Sequence, residues 1–316
     1  MIKVSILVPI SGVEKYIEKC AVSLMEQTYQ DIEYVFVNDC TKDNSISILN
    51  NVIKRYPSRQ TQVKIVNHEH NKGLAGARIT ALANATGDYI MHVDSDDWLD
   101  SKCIEKVVAC AIKTNADIID GAYTNIFESY QSIVKPWSKD KHSYICAILG
   151  GTGKISNQIW GRLIKRDLYL NHGINAVEGI NFGEDYSVLP RLLYYAKREY
   201  IDDVIYCYNH TNESSYMNNI NQGHFDMLCR AKQIVYDFYS SQPDFKKYRF
   251  SSNFGILNLY RYSIQNHLNN AELSVRVRRL SSSAILKLYL LAIEKHAQLL
   301  SKILFHLISS LCFSKL

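Results

Sequence analysis

The chain has 316 residues, of which 47% are hydrophobic and 21% are charged. This balance is typical of a globular protein that buries one large core or two smaller ones. The formal net charge is only +5, and the first two thirds of the chain contain no run of Lys and Arg. This distribution argues against nucleic acid as a partner.

The cysteines and the apolar segments limit the compartment. Eight cysteines are scattered without any Cys-x-x-Cys pair, a pattern that predicts reduced thiols in a cytoplasm rather than a disulfide framework or a zinc site. The opening MIKVSILVPI is too short for a signal peptide or a membrane-spanning helix. No other segment reaches the roughly 18 apolar residues that a spanning helix needs. We therefore expect a cytoplasmic protein.

From Lys3 onward, short apolar runs alternate with helical periodicity, which predicts βαβ units and a mainly parallel sheet flanked by helices. The expected strands are KVSILVP, IEYVFVND, VKIVNH and DYIMHV. The helices expected between them are Glu14 to Gln27, a segment capped by Asp43 or Asn44 that runs towards Arg55, and Leu74 to Ala85. Residues 155–215 mix short apolar pieces with Gly, Asn and Asp, and we expect them to complete a site.

The stretch HVDSDDWLD places Asp94, Asp96 and Asp97 directly after the fourth expected strand. Open α/β sheets bind ligands outside the carboxyl ends of their strands, and Asp39, which ends the second strand, would lie at the same edge. Mg²⁺ or Mn²⁺ in such sites takes one or two carboxylates and fills its other positions with phosphate oxygens and water. The alternative is a solvated acidic turn in which Asp97 or Asp100 caps the next helix.

Four ordered segments of the chain resemble family 2 glycosyltransferases of the GT-A fold. They are SILVPISGVEKYIEKCAVSLMEQTYQDIEYVFVNDCTKDNS, NKGLAGARITALANATGDYIMHVDSDDWLD, WGRLIKRDL and FGEDYSVLPRLL. The resemblance extends from about Val4 to Ser215. It implies a Rossmann-like sheet, a hexosyltransferase-type enzyme and a nucleotide-sugar donor, with a UDP-linked sugar expected.

The resemblance assigns residues to the donor site. The positions that match nucleotide-binding residues are Pro9, Glu14, Asp39, Arg78, Asp94 and Ser95. Among them, Asp39 matches the acid that contacts the base, and Asp94 matches the acid that faces the ribose or the metal. Asp96 matches the ligand of Mg²⁺ or Mn²⁺.

The resemblance also assigns the groups on the acceptor side. Glu184 and Asp185 match the family's later Glu-Asp pair, and Asp185 is the expected general base. The alternative for this GED segment is a helix N-terminus, and both interpretations can hold at once. His210, in CYNHTN, is expected either to complete the metal shell or to be a histidine at the surface or the core edge.

Two turns depart from the common pattern of the family. Ser11-Gly12 stands where the family commonly has Tyr-Asn, and Asp39-Cys40-Thr41 stands where it commonly has Asp-Gly-Ser. Neither departure removes a carboxylate that the chemistry requires. We expect residues 1–215 to form the catalytic domain, with a nucleotide half at about 1–115 and an acceptor half at about 116–215, and residues 216–316 to form a helical region.

The expected reaction is an inverting, metal-dependent transfer to a growing glycan or a lipid-linked acceptor in bacterial capsule or lipopolysaccharide synthesis. A nucleotidyltransferase is the first alternative, but it should carry a Gly-rich basic loop after strand one, where PISGVEKY offers one Gly. A non-catalytic nucleotide-sugar binder is the second alternative, and the apparently complete set of acids disfavours it.

From Gln222 onward the pattern predicts helices only, around Asp226 to Tyr239, around Phe254 to His267, and from Ser283 to about Leu311. After residue 273, seven Lys and Arg side chains face a single acid, Glu294. The apolar residues at helical spacing there are Leu286, Leu290, Ile293, Leu300, Leu304, Leu307 and Leu311. The pattern is typical of a helix in an anionic membrane interface, here the cytoplasmic face of the inner membrane, or of a helix packed on the domain or in a homodimer.

Overall fold

The computed structural model describes residues 1–137, 140–153, 155, 157–212, 220–280, 283–295 and 297–311. The chain forms two compact units. The first unit comprises Met1–Ser138, Ile159–Asn181 and Tyr195–Asn218, and the second comprises Lys139–Gln158, Phe182–Tyr194 and Asn219–Leu316. These units are defined by how the chain packs and not by what each part does. The division into a catalytic domain and a helical region at residue 215 therefore remains a prediction.

The first unit contains one sheet in which all four expected strands are present. The described strands are β1 (Val4–Ile10), β2 (Ile32–Asn38), β3 (Val63–Asn67), β4 (Tyr89–His92), β5 (Trp98–Leu99), β6 (Ile118–Ile126), β7 (Gln131–Val134), β8 (Arg162–Lys165) and β9 (Arg198–Asn209). Their order is β3-β2-β1-β4-β8-β6-β9-β5, with β7 paired to β6. Strands β1 to β4 pair in parallel, which agrees with the predicted βαβ units.

The sequence pattern did not predict the remaining strands, β5 to β9. Strand β8 pairs antiparallel to both β4 and β6, while β6 and β9 are parallel. The short strand β5 pairs antiparallel to β9, with Trp98 opposite Cys207. This last pairing brings the segment after β4 next to the end of β9, which lies about a hundred residues further along the chain.

Helices of the first unit cover the sheet because each presents an apolar face at helical spacing. They are α1 (Ile17–Met25), α2 (Ser45–Arg55), α3 (Gly73–Ala83), α4 (Cys103–Thr114) and α6 (Arg166–Asn171). Helices α1 to α3 correspond to the three predicted ones. Small residues of α3, including Ala75, Ala77 and Ala81, are buried and allow a close approach to the sheet.

The second unit is helical, as the pattern beyond Gln222 predicts. It contains α5 (Lys141–Gly150), α7 (Glu184–Tyr195), α8 (Gln222–Ser240), α9 (Arg249–Gln265), α10 (Ala271–Arg279), α11 (Ala284–Glu294) and α12 (Gln298–Leu311). The last residue of α7, Tyr195, is counted in the first unit. The single helix predicted over Ser283 to Leu311 is therefore two helices. Among the residues that the structure describes, no helix combines the length and apolar character needed to cross a membrane.

Both sequence departures fall at positions with left-handed backbone. Gly12 has φ +68° and Cys40 has φ +56°. Gly and Asn enter this region most readily, so Gly12 can replace the family's Asn without altering the turn. Cys40 occupies the position of the family's Gly and keeps the left-handed conformation in spite of its Cβ atom, which disfavours it.

We expect Cys40→Gly to have a free energy of unfolding about 1 kcal/mol higher than Cys40→Ala, because only Ala retains a Cβ atom in a left-handed turn. Both variants lose the thiol, so the comparison isolates the backbone. Urea denaturation would measure the difference. Equal stabilities would show that residue 40 does not require this conformation in solution.

Candidate active site

The acidic turn lies directly beyond the carboxyl end of β4. Val93 continues alongside β1 by donating its backbone N–H to the carbonyl of Leu7 at 3.0 Å. The chain then reverses in a turn closed by the N–H of Asp97 and the carbonyl of Asp94, 3.0 Å apart. The side chains of Asp94 and Asp96 remain partly exposed, whereas Ser95 is buried. Two carboxylates therefore face the edge at which α/β sheets bind ligands.

Arg78 from α3 contacts the first carboxylate of the turn. Its Nη2 atom lies 3.0 Å from Oδ1 of Asp94, and the Arg78 side chain is 4% exposed. Burial, and then the nearby guanidinium of Arg78, lower the pKa of His92 well below its usual range. A neutral His92 therefore lies close to the buried guanidinium of Arg78, and that guanidinium forms an ion pair with Asp94.

Asp96 is held from the segment that follows β9. The side-chain amide of Asn212 donates to Oδ2 of Asp96 at 2.8 Å, and that of Asn209 donates to its backbone carbonyl at 3.2 Å. Burial, and then the negative charge of Asp94, raise the pKa of Asp96. Two like charges thus lie close together in a turn whose shape is fixed by residues distant in sequence.

Asp97 serves as the buried support of the turn. Its side chain is inaccessible, with Oδ2 accepting a hydrogen bond from the Tyr206 hydroxyl at 2.6 Å and Oδ1 accepting one from the Asn209 N–H at 2.8 Å. Burial, and then Asp96 and Asp94, raise its pKa. The Tyr206 hydroxyl also accepts from the N–H of Asp94 at 3.1 Å. Asp97 therefore neither caps α4 nor faces a ligand.

The helix cap expected at Asp97 or Asp100 is formed by neither side chain, because Lys102 is the N-cap of α4 and no side chain caps it. Oδ1 of Asp100 accepts a hydrogen bond from the N–H of Lys102 at 3.1 Å, immediately before α4 begins at Cys103. The Asp100 carboxylate also pairs with Lys106 at 3.4 Å. It thus lies outside the acidic turn and stabilises the start of a helix.

The Asp39 carboxylate, directly after β2, is held through its Oδ1 atom. Its Oδ1 atom lies 2.7 Å from Nδ1 of His68 and accepts the backbone N–H of Lys72 at 2.7 Å. The other ring nitrogen of His68 lies 2.8 Å from the Thr80 hydroxyl on α3. Asp39 is therefore oriented by the loop that follows β3, at the sheet edge that the sequence predicted.

Pro9 and Glu14 belong to the first strand and its loop. Pro9 is buried in β1 opposite Val37. The Glu14 carboxylate accepts hydrogen bonds from the backbone N–H and the side chain of Asn44 at 3.0 and 3.2 Å, next to the start of α2. Glu14 thus links the loop after β1 to the loop after β2. The structure does not test its expected contact with a nucleotide.

His210 has its own set of contacts. Its Nε2 atom lies 3.0 Å from Oδ1 of Asn125, and its ring stacks on Phe127 at 4.2 Å between centroids. Over the described ranges, no three side chains of His, Cys, Asp or Glu converge closely enough to hold a metal by themselves. The structure thus does not bring His210 together with Asp94 and Asp96 in a ready-made ligand set, and its metal role remains a prediction.

Glu184 and Asp185 lie in the second unit, in the first turn of α7. Gly183, which precedes them, has φ +84°, and a Cβ atom there would lie 3.1 Å from Leu228 of α8. Carboxylates in the first turn of a helix are stabilised by its dipole. The structure therefore supports the predicted helix start, and the catalytic role of Asp185 remains a prediction.

Four supporting residues escaped the sequence analysis, namely His68, Tyr206, Asn209 and Asn212. His68 is the last residue of the predicted third strand, so its place at the sheet edge was a usable signal. The two Asn residues flank His210, which alone drew attention in CYNHTN. Tyr206 offered no signal, because a tyrosine in an apolar strand is indistinguishable from a core residue.

We expect Tyr206→Phe to lower the free energy of unfolding by about 1–3 kcal/mol, because a buried carboxylate loses its hydroxyl donor. Tyr208→Phe is the matched control, since the Tyr208 hydroxyl has no hydrogen bond to any described residue, and it should change stability by less than about 0.5 kcal/mol. Urea denaturation of both variants would measure this. Similar losses would contradict the supporting role of Tyr206.

Comparisons with known proteins identify the family of the chain. The sequence model described as glycosyl transferase family 2 matches residues 5–174. The uncharacterized glycosyltransferase EpsJ of Bacillus subtilis strain 168 is 28% identical over 247 residues, which cover 75% of this chain and 70% of EpsJ. Two further glycosyltransferases also match this chain, over 18% and 49% of their own lengths.

Solved structures share the fold. Residues 1–349 of S. aureus TarS, in complex with UDP, superpose with a TM-score of 0.68 at 15% identity, covering 98% of this chain and 90% of that one. A mannosyltransferase from Pyrobaculum calidifontis, in complex with GDP-Man and Mn²⁺, gives a TM-score of 0.51 at 13% identity, covering 99% and 87%. Since the family model covers more than half of the chain, the protein belongs to glycosyl transferase family 2 and is a glycosyltransferase with the GT-A fold.

Proposed function

We propose that this glycosyltransferase is inverting and metal-dependent, and that it transfers a sugar from a UDP-linked donor to a growing glycan or a lipid-linked acceptor. The observation that carries the proposal is the acidic turn after β4. There, the carboxylates of Asp94 and Asp96 are partly exposed, and that of Asp94 pairs with the buried cation of Arg78. Carboxylates for a cation and a guanidinium for phosphate oxygens are the groups that a nucleotide diphosphate requires.

The residues of the turn fit a divalent cation. Asp94 raises the pKa of Asp96 beyond the effect of burial, so the two carboxylates repel each other and a shared cation would relieve that repulsion. The protein supplies too few ligands in its described part to enclose a metal alone. This suits Mg²⁺ or Mn²⁺, which keep positions for phosphate oxygens and water. When bound, such a cation would neutralise charge that develops on the departing diphosphate.

The chain's own residues account for the rest of the donor site. We assign Asp39 to the base of the nucleotide, with Pro9, Glu14 and Ser95 lining the same edge of the sheet. His68 and the Lys72 N–H hold the Asp39 carboxylate in one orientation. A carboxylate already oriented costs less conformational entropy when a nucleotide binds.

Asp185 is assigned as the general base. As the acceptor hydroxyl forms its bond to the anomeric carbon, its proton passes to Asp185, and the bond to the diphosphate breaks with its electron pair leaving on the phosphate oxygen. A single displacement of this kind inverts the anomeric centre. Glu184, the adjacent carboxylate, would raise the proton affinity of the pair.

The relatives support the donor class and the setting. TarS and the Pyrobaculum enzyme were solved with UDP and with GDP-Man and Mn²⁺, respectively, which supports a nucleotide sugar and a divalent metal here. A chondroitin synthase is among the relatives, at 27% identity over 269 residues. These relatives support our proposal of a role in the synthesis of a bacterial cell-surface polysaccharide such as a capsule or lipopolysaccharide, and the scattered cysteines support our proposal of a cytoplasmic location.

The metal site can be tested by calorimetric titration with UDP. With Mn²⁺ present, we expect Asp96→Asn to bind UDP at least about tenfold more weakly than the unmodified protein, because one charge-assisted metal contact is lost. A chelator should weaken UDP binding of the unmodified protein by a similar factor and leave the variant almost unchanged.

Asp100→Asn is the matched control for this titration. It makes the same chemical change four residues away, at a carboxylate that pairs with Lys106 outside the turn. Its affinity for UDP should equal that of the unmodified protein. UDP binding that ignores both the chelator and Asp96→Asn would contradict a metal-dependent donor site.

The general base can be tested separately from donor binding. We expect Asp185→Asn to lower kcat about 10²- to 10⁴-fold with unchanged affinity for UDP, because an amide cannot accept the acceptor's proton. The measurement is UDP release from a panel of UDP-sugars with glycan and lipid-linked acceptors. Asp167→Asn, which changes a carboxylate in the first turn of α6, is the control.

Three results would each contradict a part of this proposal. Near-normal turnover by Asp185→Asn would remove that residue as the base. A product with a retained anomeric configuration, detected by NMR, would remove the inverting mechanism. Tight UDP binding without turnover of any sugar in the panel would favour the non-catalytic binder over an enzyme that uses UDP-sugars.

A further inference from the structure

Helices α11 and α12 carry apolar side chains towards the core and also towards solvent. Their inner face belongs to the core of the second unit, where Leu286, Tyr289, Ile293, Leu304 and Ile308 are all at most 5% exposed. This burial accounts for the stability of both helices. An amphipathic helix of a globular protein would have polar residues on the remaining face.

Part of the remaining face is aliphatic as well. We call it the outer apolar face, and it consists of Leu288 (45% exposed), Leu291 (44%), Leu299 (74%), Leu300 (41%), Ile303 (55%) and Leu307 (51%). Within α12, Leu299, Ile303 and Leu307 recur every four residues and therefore lie in one row. Single exposed aliphatic residues are ordinary, but six on two adjacent helices form a patch.

The structure thus divides the apolar residues that the sequence singled out. Leu286, Ile293 and Leu304 point into the core, while Leu300 and Leu307 belong to the outer apolar face. The sequence analysis treated them as one stripe. The structure shows that inward packing and an exposed apolar face occur together, so the packed helix and the interfacial helix are not alternatives.

The charges around the outer apolar face have one dominant sign. Lys287 and Lys302 are exposed on the two helices, Lys295 is exposed directly after α11, and Glu294 is the sole acid in the sequence from residue 283 to 311. Lys287 lies four residues before Leu291, and Lys302 lies three residues after Leu299, spacings that make each pair neighbours on a helix surface. Lysines with apolar stems beside an aliphatic row are typical of helices in a membrane interface.

We propose that the outer apolar face docks on the surface of an anionic lipid bilayer, with its aliphatic side chains among the acyl chains and its lysines at the headgroups. Each lysine near an anionic surface adds to the attraction that the apolar contact provides. Neither helix is long and apolar enough to cross the bilayer, so both would lie in its surface. This inference does not depend on the glycosyltransferase mechanism.

A second copy of the chain is a less suitable occupant. In a symmetric dimer, the same patch would meet itself. Such a contact would bring the lysines of two copies together with one glutamate each to offset them, and like charges across an interface are unfavourable. An anionic surface satisfies both the aliphatic area and the positive charge.

The test is cosedimentation of the full chain with vesicles of phosphatidylglycerol and phosphatidylcholine, compared with vesicles of phosphatidylcholine alone. We expect at least tenfold tighter binding to the anionic vesicles and a marked loss of that preference in high salt. The double variant Leu299→Asp and Ile303→Asp should reduce binding to anionic vesicles at least tenfold.

The matched control is Ile112→Asp with Ile133→Asp, which changes two isoleucines of similar exposure, 66% and 62%, in the first unit. It should bind vesicles like the unmodified protein. A second variant, with Lys287, Lys295 and Lys302 all changed to Gln, should lose the preference for anionic vesicles. Circular dichroism and urea denaturation of each variant would verify that the fold is retained.

The proposal fails if the unmodified protein does not bind anionic vesicles, or if the Leu299→Asp and Ile303→Asp variant binds them as well as the control does. It also fails if sedimentation in the absence of lipid shows a dimer that this variant abolishes. That last result would assign the outer apolar face to a second copy of the chain. UDP binding, measured in parallel, would report separately on the donor site.

Discussion

The acidic turn after β4 depends on one constraint, which is that three carboxylates within four positions repel each other. The structure meets it by giving each carboxylate a different partner. Asp94 receives a guanidinium, Asp96 receives a side-chain amide, and Asp97 receives a tyrosine hydroxyl and a backbone N–H. Because Asp97 is buried, the turn is anchored from below, and Asp94 and Asp96 are left partly exposed for a ligand.

This anchoring explains why the second half of the sheet matters to a site that the first half carries. Strand β5 pairs with β9, and that pairing delivers Tyr206 and Asn209 to Asp97. Removing β9 would leave a buried carboxylate without donors, which is far more costly than losing an exposed one. The parallel half therefore carries the carboxylates of the proposed donor site, and the mixed half holds the acidic turn in place.

The proposed functions divide between the two units. The donor-site residues belong to the unit that contains the sheet, while Asp185 and the outer apolar face belong to the helical unit. Sheet edges hold polar groups in fixed positions at strand ends, which suits a nucleotide and a cation. Helices can display an apolar face and lysines side by side, which suits a lipid surface.

By itself, the sequence determined the four parallel strands, the position of the acidic turn at a strand end, and the helical character of the chain beyond Gln222. These follow from periodicity, which is local. Tertiary structure decided which residues contact Asp96 and Asp97, that His68 bonds to Asp39, and which side of α11 and α12 is exposed. Such contacts join residues far apart in the chain, and no local pattern records which face of an apolar helix the core will cover.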